Sequence, residues 1–449
     1  MADVVAALRE SFGSESVITD QEIVAGYIID WTGRFRGEAF CVVRPVDSWQ
    51  VQRAVEIARE HGVPLVTQGG NTGLVGGAIP VRKAIILSTK FLGGIEIESG
   101  TQIAKVGAGV TLGELNALAK TYGLRFAVDM ASRDSATIGG MVATNAGGIN
   151  VIRYGGMRRQ LIGIEAVLGN GQLISRLDGL DKDNAGYDWS SILCGSEGTL
   201  GVVTKAMMKL VPLPAHKSVA LLAVDDLGDA VDVMVEVKKR FRFLSAAEFM
   251  TSRGLALVQR LQGAKWPLAT IPPYSLLLEV SDDSDATEEL AAFLEESGVV
   301  RDAVLAADSA STGLWYWRER HTEAISRYGL VRKLDVAVPV RSIARFVNEV
   351  QEIVELERPL ADVVLFGHLG DGNVHVNLLN LGSGDDQLDH EILAVVASYG
   401  GSISAEHGIG RAKVADLSLT RTSADIESMV SIKRALDPSL ILNPGVLFG

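Results

Sequence analysis

Apolar residues recur at helical spacing over residues 48–61, where Val51, Ala54, Val55 and Ala58 share a face behind Ser48 near the N-cap. Gly62 ends that segment, and the apolar run 63–67 reads as a strand. With a strand at 39–44 that stops at Pro45, this is a β-α-β rhythm. A short helix over 3–12 precedes it. Strands at 84–88, 94–99 and 103–107 follow, then a helix at 111–122 that Thr111 caps and Gly123 ends. Gly169-Asn170-Gly171 between the apolar runs 163–168 and 172–175 predicts a hairpin.

Pro212 and Pro214 punctuate the chain, and a boundary is expected near 213–217. Beyond it the pattern predicts strands at 218–224, 246–249, 274–280, 300–305, 336–339, 363–366 and 374–379. Helices are expected at 227–240, 287–296 and 311–328, and closing helices at 391–399 and 423–436. Sequential strands with short connections predict an antiparallel sheet with helices on one face, so the fold class is α+β. The expected division is 1–215, 216–390 and a C-terminal helical segment, 391–449.

At 449 residues the length suits more than one domain, and 47% hydrophobic content suits large cores. A formal net charge of −13 argues against nucleic acid as a partner. Two cysteines, Cys41 and Cys194, lack metal-ligand spacing and suit a reducing compartment. The N-terminal residues show no basic n-region and no long apolar run. Apolar runs such as Val363-Val364-Leu365-Phe366 are far short of a membrane span, so a cytoplasmic location is expected.

Glycine changes the picture most. The predicted strand 63–67 runs into Gln68-Gly69-Gly70-Asn71-Thr72-Gly73-Leu74-Val75-Gly76-Gly77. Its amide groups can turn inward together and cradle a phosphate, although the loop has neither the Walker nor the dinucleotide spacing. A second tract holds Ser135, Thr137, Gly139, Gly140, Asn145, Gly147 and Gly148, and its small residues suit close packing under a flat ligand. A third, Cys194-Gly195-Ser196-Glu197-Gly198-Thr199-Leu200-Gly201-Val202-Val203, again passes from turn to strand.

Histidine is scarce, with seven in the chain, yet three lie in Gly367-His368-Leu369-Gly370-Asp371-Gly372-Asn373-Val374-His375-Val376-Asn377 and Ala405-Glu406-His407-Gly408. On one unbroken strand His368 and His375 would face opposite ways. A turn at Gly370-Asp371-Gly372 folds them side by side and puts Asn377 on the face of His375. Two imidazoles and Glu406 would make an open three-ligand site of N/O type for a divalent metal, with zinc the first expectation, and His407 is then placed to act as a base. Taken singly, each His could equally cap a turn or satisfy buried backbone.

Together these tracts, with Lys182–Asp188 and Leu436-Asp-Pro-Ser-Leu-Ile-Leu-Asn443-Pro444-Gly445, resemble the FAD-linked oxidase family, whose flavin domain is of the vanillyl-alcohol-oxidase type. The resemblance covers nearly the whole chain. It implies that 1–215 is a two-subdomain, PCMH-type FAD-binding domain and that 216–390 is an α+β cap that binds substrate. It implies noncovalent FAD, its pyrophosphate along 69–77 and 135–148, its adenosine near Glu197, Gly198, Gly201 and Val203, and its isoalloxazine near Asn443.

The late segments resemble the D-2-hydroxyacid dehydrogenases of that family, by His-Leu-Gly-Asp-Gly-Asn-x-His-x-Asn at 368–377 and Ser-Ala-Glu-His-Gly at 404–408. That resemblance implies that Arg318 and Thr322, four apart on a helix, clamp the substrate and that Lys333 binds a second carboxylate, with Asn377 positioning substrate or flavin. Read by itself, Arg318 could be an ion-paired helix residue and Lys333 a strand-edge charge. The chain departs from the family pattern at Asp129-Met-Ala-Ser132-Arg133-Asp134-Ser135, which sets a negative charge beside the predicted pyrophosphate loop.

The expected reaction is oxidation of a D-2-hydroxy acid, first of all D-2-hydroxyglutarate to 2-oxoglutarate, with the metal polarising the hydroxyl, His407 taking its proton and C2 passing hydride to flavin N5. D-lactate or glycolate is the alternative substrate, and a non-catalytic metal-binding flavoprotein that senses redox state is the alternative of another class. An electron-transfer flavoprotein or a quinone is the expected acceptor, and a homodimer the expected assembly.

Overall fold

The computed structural model describes residues 2–180, 182–263, 265–328, 331–381 and 386–448. Contacts divide the chain into two units, the first made of 1–147, 155–213 and 406–449 and the second of 148–154 and 214–405. The second unit is thus largely an insertion into the first.

In the first unit the helix Ser48–Glu60 buries Val51, Ala54, Val55 and Ala58 as the spacing requires. Its cap is Asp47 rather than Ser48, because the Asp47 carboxylate accepts the Gln50 N–H at 2.8 Å. Strands β1 (Val17–Ile18), β2 (Ala39–Val43), β3 (Leu65–Gln68) and β4 (Ala84–Ser88) form a sheet in the order β1-β2-β4-β3. The pairs β2–β4 and β3–β4 are parallel. A late segment extends this sheet: Leu65 N–H donates to Ile441 O at 2.9 Å, and Asn443 N–H to Leu65 O at 3.0 Å.

The second sheet of that unit is antiparallel. It comprises β5 (Ile95–Glu98), β6 (Ile103–Gly107), β7 (Leu124–Phe126), β8 (Leu161–Leu168), β9 (Leu173–Arg176) and β10 (Gly201–Pro212). The order is β5-β6-β10-β8-β9, with β7 also on β10. The β8–β9 hairpin turns at Gly169-Asn170-Gly171 as the sequence predicts, with Gly171 at φ 87°. The helix Leu112–Lys120 starts with a reciprocal Thr111–Glu114 capping box.

The second unit is built on seven antiparallel strands: β11 (His216–Val224), β12 (Leu244–Thr251), β13 (Tyr274–Asp282), β14 (Asp302–Ala307), β15 (Arg332–Ala337), β16 (Asp362–His368) and β17 (Asn373–Leu379). Their order is β14-β11-β13-β12-β16-β17-β15. One apolar cluster joins Met250, Leu277, Val364 and Phe366 of the sheet to Leu255, Leu314, Trp317 and Ile325 of three helices. The neighbouring Phe249 and Leu276, on the opposite face, are equally buried. The sheet is therefore covered on both faces, not on one.

The single helix expected over 311–328 is two, Thr312–Glu319 and His321–Ser326, joined at Arg320. Arg318 and Thr322 therefore sit on consecutive helices. The fully buried His321 ring takes up the Trp317 carbonyl at 2.7 Å, so a side chain occupies an acceptor of the helical ladder at the junction. Among the described residues the other ring nitrogen, Nε2, has no hydrogen-bond partner. Burial, and next the Arg318 charge, bring the His321 pKa down from 6.5 to about 3.

Between those two values the unfolded chain binds a proton that the folded protein refuses. Stability therefore falls as pH drops through that window, by on the order of 3–5 kcal/mol in full. Urea unfolding from about pH 7 to about pH 4 should show this slope, and His321→Phe should flatten it. An unchanged slope in the variant would assign the acid sensitivity to other groups.

Candidate active site

The second unit brings the two imidazoles together. In the β16–β17 hairpin His368 stands opposite Asn373, and Phe366 opposite His375. The turn Leu369-Gly370-Asp371-Gly372 lies between, with Gly372 at φ 89°. His368, Phe366, His375 and Asn377 consequently share one face. The two imidazole centroids are 5.4 Å apart.

Two buried carboxylates back these rings, and the sequence reading missed both. Glu248, opposite His368 on β12, accepts His368 Nδ1 at 2.6 Å. Asp335, opposite His375 on β15, lies 3.4 Å from His375 Nδ1. Asp335 also accepts Asn373 Nδ2 at 2.8 Å. The signal that could have found them is a lone acid in an apolar strand: β12 is buried at every position, and a carboxylate there needs a partner. Burial brings the His375 pKa down to about 4, with Asp335 opposing and the His368 and Arg318 charges adding. His375 is thus neutral at neutral pH, the form in which imidazole ligates a metal.

Arg318 is ion-paired, but in the interior rather than on a helix surface. Its Nε donates to Glu248 Oε2 at 2.7 Å, and its guanidinium lies 4.6 Å from the Phe366 ring centre. Burial works to raise the Glu248 pKa, yet the charges and hydrogen bonds of His368 and Arg318 outweigh it and hold the carboxyl ionised. Lys333 is opposite Asn377 on the edge strand β15, hence on the imidazole face, and burial lowers its pKa. Asn377 donates to Val364 O at 3.2 Å and to His375 O at 3.3 Å. Thr322 is partly buried in the helix after Arg318.

The remaining residues singled out in the sequence belong to the first unit, except Gly148 in the second. Gly69 and Gly70 pack on the second tract so closely that a Cβ on them would collide with Thr137 Oγ1 and the Ser135 carbonyl. Thr137 caps the short helix Ile138–Thr144. Asn71, Asn145, Glu197 and Asn443 all have positive φ, and Gly76 has too. Thr72, Gly73 and Gly77 complete the loop that leaves the C-terminal end of β3, and among the described residues Gly73 faces open space. Gly139 abuts Ala108, Gly140 donates to Thr137 Oγ1 at 3.4 Å, Gly198 lies against Asn443, and Gly201 and Val203 begin β10.

Asn443 ties the parts together. It accepts from Thr67 N at 2.9 Å and donates to Glu197 O at 2.9 Å. The Glu197 carboxylate accepts from Ile409 N at 2.8 Å and Gly410 N at 2.7 Å. That fixes the segment carrying Glu406 and His407. A Cβ on Gly147 would come within 2.7 Å of Glu406 Oε1, so this segment lies along the second glycine tract. Asp134 is exposed beside Gly113, and Arg133 pairs with Asp129 at 3.3 Å.

The bed fits a flavin dinucleotide. It is rich in glycine, it lies at the C-terminal ends of parallel strands, and among the described residues the buried hydroxyls Thr67 Oγ1 and Ser88 Oγ at those ends have no hydrogen-bond partner.

Comparison with known proteins agrees. The FAD binding domain model matches residues 39–176, and that of the FAD linked oxidases, C-terminal domain, matches 213–447. The chain is 37% identical to D-2-hydroxyglutarate dehydrogenase of Xanthomonas citri pv. viticola, over 99% of this chain and 96% of that one. It is 35% identical to the mitochondrial D-2-hydroxyglutarate dehydrogenase of Arabidopsis thaliana, over 98% and 80%. The structure of p-cresol methylhydroxylase with substrate bound superposes with a TM-score of 0.79 at 18% identity, covering 99% of this chain and 96% of that one, and so shares the fold. Among the described residues no helix is long and apolar enough to cross a membrane. With an α+β architecture, a PCMH-type FAD bed and both family models matched in order, the chain belongs to the FAD-linked oxidase family.

Proposed function

We propose that the protein is an FAD-dependent D-2-hydroxyacid dehydrogenase that oxidises D-2-hydroxyglutarate to 2-oxoglutarate. The observation that carries the choice of substrate is the pair of cations on one sheet face. Arg318 and Lys333 both stand on the face of the two imidazoles. A five-carbon diacid needs two such anchors, and lactate or glycolate needs one. The two dehydrogenase relatives carry the name of that substrate.

We propose further that His368, His375 and Glu406 hold a divalent metal, zinc by donor type. The support is the adjacent pair of carboxylate-backed imidazoles, the usual setting of ligating histidines. Glu406 directly follows Ala405, whose N–H donates to Asp335 O at 3.3 Å. When bound, the metal supplies Lewis acidity at the substrate hydroxyl and FAD supplies the two-electron acceptor. The chain does the rest. Arg318, Lys333 and Thr322 hold the two carboxylates and fix the angle at C2, an orientation effect. Asn377 steadies the strand beneath them. His407 takes the hydroxyl proton on a ring nitrogen as C2 loses hydrogen with its electron pair. An electron-transfer flavoprotein or a quinone is the proposed partner in reoxidation.

The holoprotein should lose its flavin colour anaerobically with D-2-hydroxyglutarate and keep it with the L-enantiomer. Colour retained with D-2-hydroxyglutarate but lost with D-lactate would move the assignment to a monoacid. Lys333→Ala should lower kcat/KM for D-2-hydroxyglutarate by about 100-fold, the effect of removing one buried charge partner, with a far smaller change for D-lactate. Equal losses on both substrates would sink the diacid reading.

A further inference from the structure

Glu248 gives each of its two oxygens to a different partner. Oε1 takes His368 Nδ1 at 2.6 Å and Oε2 takes Arg318 Nε at 2.7 Å. The side chain is wholly buried, so both contacts are made without water. The first fixes a tautomer. With the carboxylate accepting at Nδ1, the neutral form of His368 keeps its proton there and its lone pair on Nε2. The second fixes a direction. With Nε held by Glu248 and Cζ 4.6 Å from the Phe366 ring centre, the Arg318 guanidinium is held at two points.

One helical turn earlier, Trp315 Nε1 donates to Glu279 Oε2 at 2.8 Å. The helix Thr312–Glu319 is therefore pinned to the sheet by two buried carboxylates, and among the described residues Glu248 alone of the two also reaches an imidazole.

We propose that Glu248 is a positioning residue that couples the hydroxyl end of the substrate site, through His368, to its carboxylate end, through Arg318. This rests on the functional reading above. Both partners donate to Glu248, so a glutamine cannot replace it. If the Gln oxygen accepts from Arg318, its NH2 faces His368 Nδ1 and drives the imidazole proton to Nε2. If the oxygen accepts from His368, the NH2 meets the Arg318 N–H, donor against donor. Either way one of the two ends is lost, and the exchange between the two arrangements weakens both.

The test uses FAD-loaded protein in three arms. In metal-free wild type labelled with 15N-histidine, the His368 ring, assigned by its loss in His368→Asn, should be protonated at Nδ1. An Nε2–H tautomer would overturn the proposal. By chelator competition, Glu248→Gln should bind zinc about 10- to 100-fold more weakly than wild type. By calorimetry on metal-free protein, its affinity for 2-oxoglutarate should also fall.

Glu279→Gln is the control: it removes a buried sheet carboxylate that touches Trp315 but no imidazole, and it should leave zinc affinity at the wild-type value. Loss at only one end in Glu248→Gln, or equal zinc loss in both variants, would overturn the coupling. Should Glu248→Gln fail to fold and hold FAD, the wild-type tautomer decides. Failure of the functional reading looks different: wild type then neither bleaches with D-2-hydroxyglutarate nor binds 2-oxoglutarate, while the tautomer and zinc arms still report on Glu248.

Discussion

Replacing His407 with Asn should slow flavin reduction by D-2-hydroxyglutarate by about 10²- to 10⁴-fold, the range that a positioned general base contributes. FAD and metal content should stay as in wild type. The loop around residue 407 is held from elsewhere, since Glu197 accepts the N–H groups of Ile409 and Gly410. Gly408, at φ 83°, lies so close to that carboxylate that a Cβ would come within 2.8 Å of its carbon. The substitution therefore removes the proposed base without releasing the segment. Its neighbour should behave differently: Glu406→Gln is expected to keep FAD and lose metal. Anaerobic stopped-flow measurement of flavin reduction, with metal analysis of the same samples, separates the two. Unchanged reduction in His407→Asn would place the base elsewhere.

Arg318→Leu should destabilise the protein by about 3–5 kcal/mol, because it takes from the buried Glu248 carboxylate its cationic partner and leaves it His368 alone. The exposure of the pair, 10% for the Arg318 side chain and 0% for Glu248, puts it beyond solvent screening. Adding Glu248→Leu should restore much of that stability, since a buried ion pair contributes little net over apolar packing. Activity should return in neither variant. Urea unfolding of the single and double replacements, followed by sheet-unit fluorescence from Trp315 and Trp317, measures both steps. A double replacement as unstable as the single would mean that Arg318 acts through Phe366 and the helix rather than through Glu248.

What the chain disclosed about itself follows from where its constraints are local. The Gly-Asp-Gly turn dictates that His368 and His375 come side by side, and the hairpin does so. The glycine tracts announce close backbone approach, and Gly70 on Ser135 delivers it. For Glu248 and Asp335 the sequence shows an acid in an apolar strand but not its partner, which lies on another strand, 120 residues away in the case of Glu248 and His368. The break at Arg320 depends on a histidine ring finding the carbonyl of the preceding turn. The helix Ile343–Glu357 is another matter. Ile343, Phe346, Val347, Val350 and Val354 mark it at helical spacing, so the pattern was present and simply not read.

The strand-like segment at 441–443 has a consequence for biosynthesis. Thr67 and Asn443, bonded side by side, are 376 residues apart in the chain. A ribosome delivers 441–443 only after the inserted unit, 214–405, has emerged whole. The insertion can fold while its host is still open, and the host must keep one edge of β3 unpaired until 441–443 is made. The bed for FAD is therefore completed only after the inserted unit, although most of its residues are made before that unit.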